Sequence, residues 1–492
     1  MRMRAKALYG IAAVLLLGAG FVYGYLAHRN GIFPAPLIRR LSEGPREPLG
    51  ERPPGRWNRV ELPAALTPGL QEEIERLRAI GYLSGSDAAP AAGGVTVHRV
   101  ADAWAGLNLY TSGHAPEAIL MDMDGSVLHT WSKELDEVWP PGSEATRRSG
   151  YFEVDYWRRA HLFENGDLLA IYEGFGIIKL DRDSNLLWSW PRADGAGGEG
   201  GRDTGGEGGD DAGARVAKGA GGERGRDTGE PFGGHGETAG QDELGAHHDL
   251  FVNAEGMISV LTRRAGIVAR INPGWPILED FITVLTPDGE PVASLSLLEA
   301  FERSPFAPLL MGMADRGDLF HTNTLEIFDG RHAERAPIFK KGNALISLRE
   351  LNTIAIVDTE AGEVVWAIAG MAARQHQPTL LDGGNMLLFD NLGNDGRSRV
   401  IELDPLTQQI VWEYPGGAPA DLFSETCGSN QRLPNGNTLI TETDRGRAIE
   451  VDAAGEIVWE FFNPQRAGEQ DELIASLFEV VRLPRDFAAW LE

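Results

Sequence analysis

The sequence predicts an all-β fold, a six-bladed β-propeller behind one N-terminal transmembrane helix. Three observations carry this. A unit of apolar strands joined by an Asp-containing turn recurs six times; its late markers Asp358, Asp404 and Asp452 are 46 and 48 residues apart; and one uncharged apolar run of 21 residues stands near the start. A four-stranded propeller blade needs roughly 40 to 50 residues, which that spacing meets.

Residues 1–30 read as the anchor. Ala7–Ala27 would reach about 31 Å as a helix, one bilayer core. Arg2, Arg4 and Lys6 precede it, so the N-terminus is expected in the cytoplasm and the rest of the chain in the periplasm or otherwise outside. A cleaved signal peptide is the alternative, but the apolar run is long for one and no clear small-x-small site follows.

Residues 31–95 read as a juxtamembrane linker, rich in Pro and Gly. It holds one short helix, from the Thr67 cap and Pro68 to Gly81, with Leu70, Ile74 and Leu77 on one face. Docking onto the main domain is the expected use of that face, ahead of a partner site.

Residues 96–492 read as the propeller. The second half of each unit is an apolar strand, an Asp near the turn and a strand ending in Trp: Asp122 to Trp131, Asp181 to Trp188, Asp358 to Trp366, Asp404 to Trp412 and Asp452 to Trp459. The sixth copy, around Asp288-Gly289, has Leu295 or Leu297 where Trp would stand. The first half is a Gly turn and an alternating strand, as at Asn165-Gly166 and Asn435-Gly436. The Trp series is expected to pack between neighbouring blades. Residues 192–246 are dominated by Gly, Glu, Asp and Arg and read as a disordered insertion, without the strand or Gly-Lys-Ser/Thr of a phosphate loop.

Composition excludes several functions. The 42% hydrophobic fraction excludes global disorder and a multi-pass membrane protein. With 72 acidic against 45 basic residues, the net charge of −27 argues against nucleic-acid binding. Cys427 is the single cysteine, so no intrachain disulfide forms. No Gly-x-Ser-x-Gly, His-Glu-x-x-His or Cys-x-x-Cys stands in a usable context.

The polar residues that remain form a pattern. Three successive units open with histidine, at His247-His248-Asp249, His321-Thr322-Asn323 and Gln375-His376-Gln377, and Arg349 follows the strand 344–348. The innermost strand of a blade starts at the rim of the central channel, so these side chains can converge there. A neutral imidazole is a nucleophile or proton carrier near neutral pH, and a guanidinium flanked by imidazoles suits a tetrahedral oxyanion. Sulfate or phosphate transfer fits this set. Metal binding is the competing chemistry, although a guanidinium beside a cation is unfavourable and no metal is assigned. A purely structural use, histidines capping strands, is the third reading.

Taken together, these residues resemble the arylsulfotransferase family, bacterial enzymes that move a sulfuryl group between phenols without a nucleotide donor. The resemblance runs from about Ala103 to Phe462 and includes 106–110, 121–125 with His129-Thr130-Trp131, 247–250, 321–324, 347–349, 375–376 and 433–440. It implies a six-bladed propeller, aryl sulfate and phenol substrates and no cofactor. It implies His376 as nucleophile through a sulfohistidine, His321 and Arg349 as clamps on the sulfuryl oxygens, and His248 as a fourth catalytic member. His247 and Asn323 stand beside them as substrate-binding residues. The well-known periplasmic members carry a separate N-terminal β domain and a disulfide near the site; this chain has an anchor and linker instead, and Cys427 has no partner cysteine. Two alternatives follow: a sulfatase with water as acceptor, and a non-catalytic envelope propeller acting as a binding scaffold.

Overall fold

A computed structural model describes residues 85–143, 156–192, 244–415, 422–468 and 470–491. The anchor at 1–30, the helix expected at 67–81 and residues 193–243 of the insertion lie outside them. Among the described residues no helix is long and apolar enough to cross a membrane.

The described chain is mostly β, with two α-helices of four and six residues, Leu135–Val138 and Leu297–Glu302, and three short 3-10 helices. Its strands form six mainly antiparallel sheets of four or five strands and one small three-stranded sheet. The leading strands of the second to sixth sheets are Arg159–Leu162, Gly245–Val252, Thr322–Ile327, His376–Leu380 and Ser429–Arg432, each followed by the next strands of its own sheet in chain order. The first sheet differs: Leu477–Leu483, from the end of the chain, leads Leu107–Ser112, Glu117–Met121 and Val127–Ser132. Both ends of the domain therefore share one sheet.

The local repeat explains how the sheets join. Each marker aspartate closes its hairpin by accepting two backbone N–H groups: Asp122 from Asp124 and Ser126, Asp181 from Asp183 and Asn185, Asp404 from Leu406 and Thr407, and Asp452 from Ala454 and Glu456. Asp358 does the same with Glu360 and Ala361. The tryptophans then reach the following sheet. Trp131 donates to the Gly166 carbonyl at 3.1 Å, Trp188 to Pro287 at 3.0 Å, and Trp459 returns to Met123 of the first sheet at 2.9 Å. At Gly289 the backbone has φ +81° and the Trp188 ring lies 2.5 Å from where a Cβ would stand, so only glycine fits.

Apolar packing follows the same order. Six clusters of buried side chains each join two sheets: first to second, second to third, and so on, with Trp459 and Val480 in the cluster between sixth and first. The series closes on itself, the arrangement of a β-propeller. In the third unit Leu295, on the last strand, and Leu297, opening the helix that follows, both pack in the cluster with the fourth sheet.

Two boundaries differ from the sequence expectation. The end of the 31–95 linker forms strands Gly85–Ala88 and Gly94–His98, which pair with Leu473–Ala475 and with Ile457–Phe462. Residues 244–246, counted with the insertion, open the third sheet, because Leu244 and Ala246 have apolar side chains to bury against the second.

Candidate functional site

The six leading strands meet at one axis. Arg159, opening the second sheet, binds Asp249 of the third at 2.5 Å, Glu479 of the first, and Gln377 of the fifth at 3.3 Å. Asp249 also accepts from the Leu325 amide of the fourth sheet at 2.8 Å, and Asn430 of the sixth donates to the Gln377 carbonyl at 3.1 Å. Every leading strand is thereby tied to another.

The strand starts are irregular where the histidines stand. Pairing slips between Ala246 and Leu250, between Thr322 and Thr324, and between His376 and Thr379. His248, His321 and Gln377 take left-handed backbone, with φ +50°, +49° and +49°. A bulge with such a residue turns side chains out of the sheet alternation, at a cost of order 1–3 kcal/mol per strained residue. That strain is what points neighbouring imidazoles into one pocket.

His247, His248, His321 and His376 are all buried. The His321 ring centroid is 4.8 Å from that of His248 and 5.4 Å from that of His247. His321 Nδ1 bonds Asp318 at 2.5 Å. Asp318 lies in the two-residue strand Gly317–Asp318, which pairs in parallel with the third sheet. Burial raises the Asp318 carboxyl, but His321 and Arg263 hold it well below the carboxylate range. Its neighbour Asp280, buried and close to Asp318, is pushed up to about 7 while accepting the Thr322 amide at 2.8 Å.

His376 is set apart by its hydrogen bonding. Its Nδ1 lies 2.8 Å from Asn391 Oδ1, while Asn391 Nδ2 donates to the carbonyls of Ser424 and Cys427 at 2.9 and 2.8 Å. Those two carbonyls can only accept, which assigns the amide nitrogen to them and turns Oδ1 toward the imidazole. Nδ1 therefore carries the hydrogen. Nε2 is left with its lone pair, buried and without a hydrogen-bond partner among the described residues. Burial holds the ring well below the ordinary imidazole range, and Arg158, Arg349 and His321 add to that, against the Asn391 bond.

The sequence set is thus brought together, with two qualifications of role. Arg349 is close enough to depress His376, yet its Nη1 pairs with Glu350 at 2.7 Å, so the carboxylate beside it in sequence also neutralises it in space. Asn323 is used in the frame: its Nδ2 donates to the Gln375 carbonyl at 2.9 Å and its Oδ1 accepts from Thr324 at 3.1 Å, bracing the fourth sheet on the fifth. Sequence reasoning missed Arg158, Glu173, Asp318 and Asn391. Glu173 Oε1 lies 2.8 Å from His248 Nδ1, and Arg158 Nε lies 3.5 Å from the other oxygen. Burial pushes Glu173 up, but His248, His247 and Arg158 hold it well below the usual range. Arg158 had a signal: the pair Arg158-Arg159 stands at the start of a leading strand, where three other units carry histidine.

Residues 225–464 match the family model described as Arylsulfotransferase (ASST). No curated protein matches the chain. Among solved structures, a protein of unknown function from Bacteroides caccae is similar at 13% identity and TM-score 0.42, covering 76% of this chain and 98% of its own. A streptogramin B lyase gives 12% and 0.38, with 81% and 96% covered. The WD40 β-propeller domain of Doa1 gives 11% and 0.36, with 83% and 99% covered.

Proposed function

We propose that this chain, whose residues 225–464 match the arylsulfotransferase family model, moves a sulfuryl group from an aryl sulfate to a phenol through a sulfohistidine on His376. The observation that carries the reading is Asn391, which fixes the tautomer of a buried imidazole so that Nε2 presents a lone pair beside two arginines and a histidine. A neutral imidazole held that way is a nucleophile that needs no base.

In the first half-reaction Nε2 forms the bond to sulfur as the S–O bond to the aryl group breaks, and the electron pair leaves with the phenolate. Arg158 and Arg349 stand close enough to balance charge on the sulfuryl oxygens. His321, held by Asp318, is the proton carrier: it protonates the departing phenolate. In the second half-reaction it takes the proton of the acceptor phenol, whose oxygen displaces Nε2 from sulfur. The sum is aryl sulfate plus phenol giving phenol plus aryl sulfate, with no cofactor consumed.

The test is intact-mass analysis of the full chain after brief exposure to an aryl sulfate without acceptor. A gain of one sulfuryl group on His376 supports the reading; a folded chain that never gains it, or gains it elsewhere, removes it. A second expectation concerns pH. Because the folded His376 is depressed, its nucleophilic form persists below the ordinary imidazole value, so adduct formation should not fall from pH ~7 to ~6 on its account. A fall in adduct formation over that interval would overturn the reading of His376 as a depressed, neutral nucleophile.

Asn391→Leu removes the acceptor that fixes the tautomer, and adduct formation is expected to slow by about 10²-fold with substrate affinity little changed. An unchanged rate would mean the tautomer is set elsewhere. The six sheets support reading the domain as six blades. The apolar run 7–27 with its preceding basic residues supports a membrane anchor with the site on the far side.

A further inference from the structure

Next to His321 lie three donor atoms, each within 3.4 Å of the other two, whose contacts ordinary protonation leaves partly opposed. His247 Nδ1 and His248 Nδ1 are 2.9 Å apart, His248 Nδ1 is 2.8 Å from Glu173 Oε1, and His247 Nδ1 is 3.4 Å from the same oxygen. All three side chains are buried. A neutral imidazole has one N–H. If only one Nδ1 carries it, one contact is a hydrogen bond and another sets lone pair against lone pair. If both carry it, two N–H groups oppose each other. A cation meets all three at once.

We propose that Glu173, His247 and His248 bind a divalent transition-metal ion of the Zn²⁺ class, with His321 beside its open position. The geometry suits the ion. The point equidistant from the three donors in their own plane is about 1.8 Å from each, so an ion at the usual 2.0–2.1 Å stands about 1 Å off that plane. Three ligands on one side leave a fourth direction open, the pattern of zinc sites that act on substrates. His321 offers a ring nitrogen within 4.8 Å of one on each of His247 and His248.

The donor chemistry agrees. Two imidazoles and one carboxylate suit Zn²⁺ and its first-row neighbours rather than Mg²⁺ or Ca²⁺, which prefer all-oxygen shells. The outer oxygen of Glu173 has the Arg158 guanidinium at 3.5 Å, a second contact of the kind that orients metal-bound carboxylates. The guanidiniums that act on the ligands are Arg158 and Arg263, and the carboxylates of Glu173 and Asp318 stand against them to offset that charge. Asp318, bonded to His321, adds further negative charge. The ion does not depend on the sulfohistidine, since none of its three ligands is His376.

The full chain, stripped with a chelator and dialysed, is titrated with Zn²⁺ against a chromophoric chelator, and separately loaded with Co²⁺. The expected result is one tight equivalent and intense visible bands of four- or five-coordinate Co²⁺. Glu173→Gln and His247→Ala should each weaken binding by at least about 10²-fold and bleach those bands. No stoichiometric binding by the unaltered chain overturns the proposal, as does unaltered affinity in both variants, which would put the ion on other histidines. Should His247→Ala fail to fold by far-ultraviolet circular dichroism, His247→Gln replaces it, and the Co²⁺ spectrum of the unaltered chain stands as a test by itself. No substrate enters this measurement, so a missing His376 adduct and a missing metal remain separate failures.

Discussion

His376→Ala is expected to lower sulfuryl transfer from a chromogenic aryl sulfate to phenol by about 10⁴-fold or more, the scale on which a covalent nucleophile is lost. The imidazole is buried and packed, so its removal leaves a small cavity at the channel rim, but it takes no part in the apolar clusters that join the sheets. The melting transition should therefore move little. That separation makes the test sharp: loss of transfer with an unaltered melt assigns the effect to chemistry. Retained transfer with no adduct would remove His376 from the reaction and return weight to a scaffold role or to another nucleophile in the pocket.

The second large effect is on stability. Glu450→Ala is expected to cost about 3–5 kcal/mol, the range for removing one member of a buried ion pair. Glu450 of the sixth sheet and Arg482 of the C-terminal strand are both fully buried and meet at 2.8 Å. Arg482 also donates to Asn108 at 2.5 Å and to the Trp104 carbonyl at 2.7 Å, and its guanidinium lies 4.8 Å from the centre of the Trp459 ring. The other oxygen of Glu450 accepts from the Trp104 amide and from Asn437, both at 2.7 Å. Alanine would strand a guanidinium and two donors without water, at the interface where the last strand closes the ring. Thermal unfolding measures it; a loss below about 1 kcal/mol would mean that the pair is not what holds the closure. Glu450→Gln, which keeps the shape and an acceptor, should cost less than the alanine change.

Much of the fold could be read in advance because its signals are local. An Asx turn is written in a few consecutive residues, as at Asp122 and Asp452, and the Trp that follows is placed by strand alternation. The sixth copy was legible without its Trp, since Pro287-Asp288-Gly289 keeps the turn. Closure was less legible. Nothing near Leu477–Leu483 announces that this strand leads the first sheet, because its partner lies some 370 residues earlier.

The site divides in the same way. His247, His248, His321 and His376 are visible in the sequence because each stands at the start of a leading strand, a position that a repeat reveals. Glu173 and Arg349 directly follow second strands and Asn391 stands in the later half of another, and antiparallel pairing carries each back beside the start of a first strand. No spacing in the chain reports that proximity. The sequence by itself determined the repeat, the turn chemistry, the net acidic charge, and the set of imidazoles. Tertiary structure alone decided which nitrogen of His376 holds a proton, which arginines face it, and that Glu173 joins His247 and His248, because hydrogen-bond direction and donor convergence depend on distances between sheets that are set only when the ring closes.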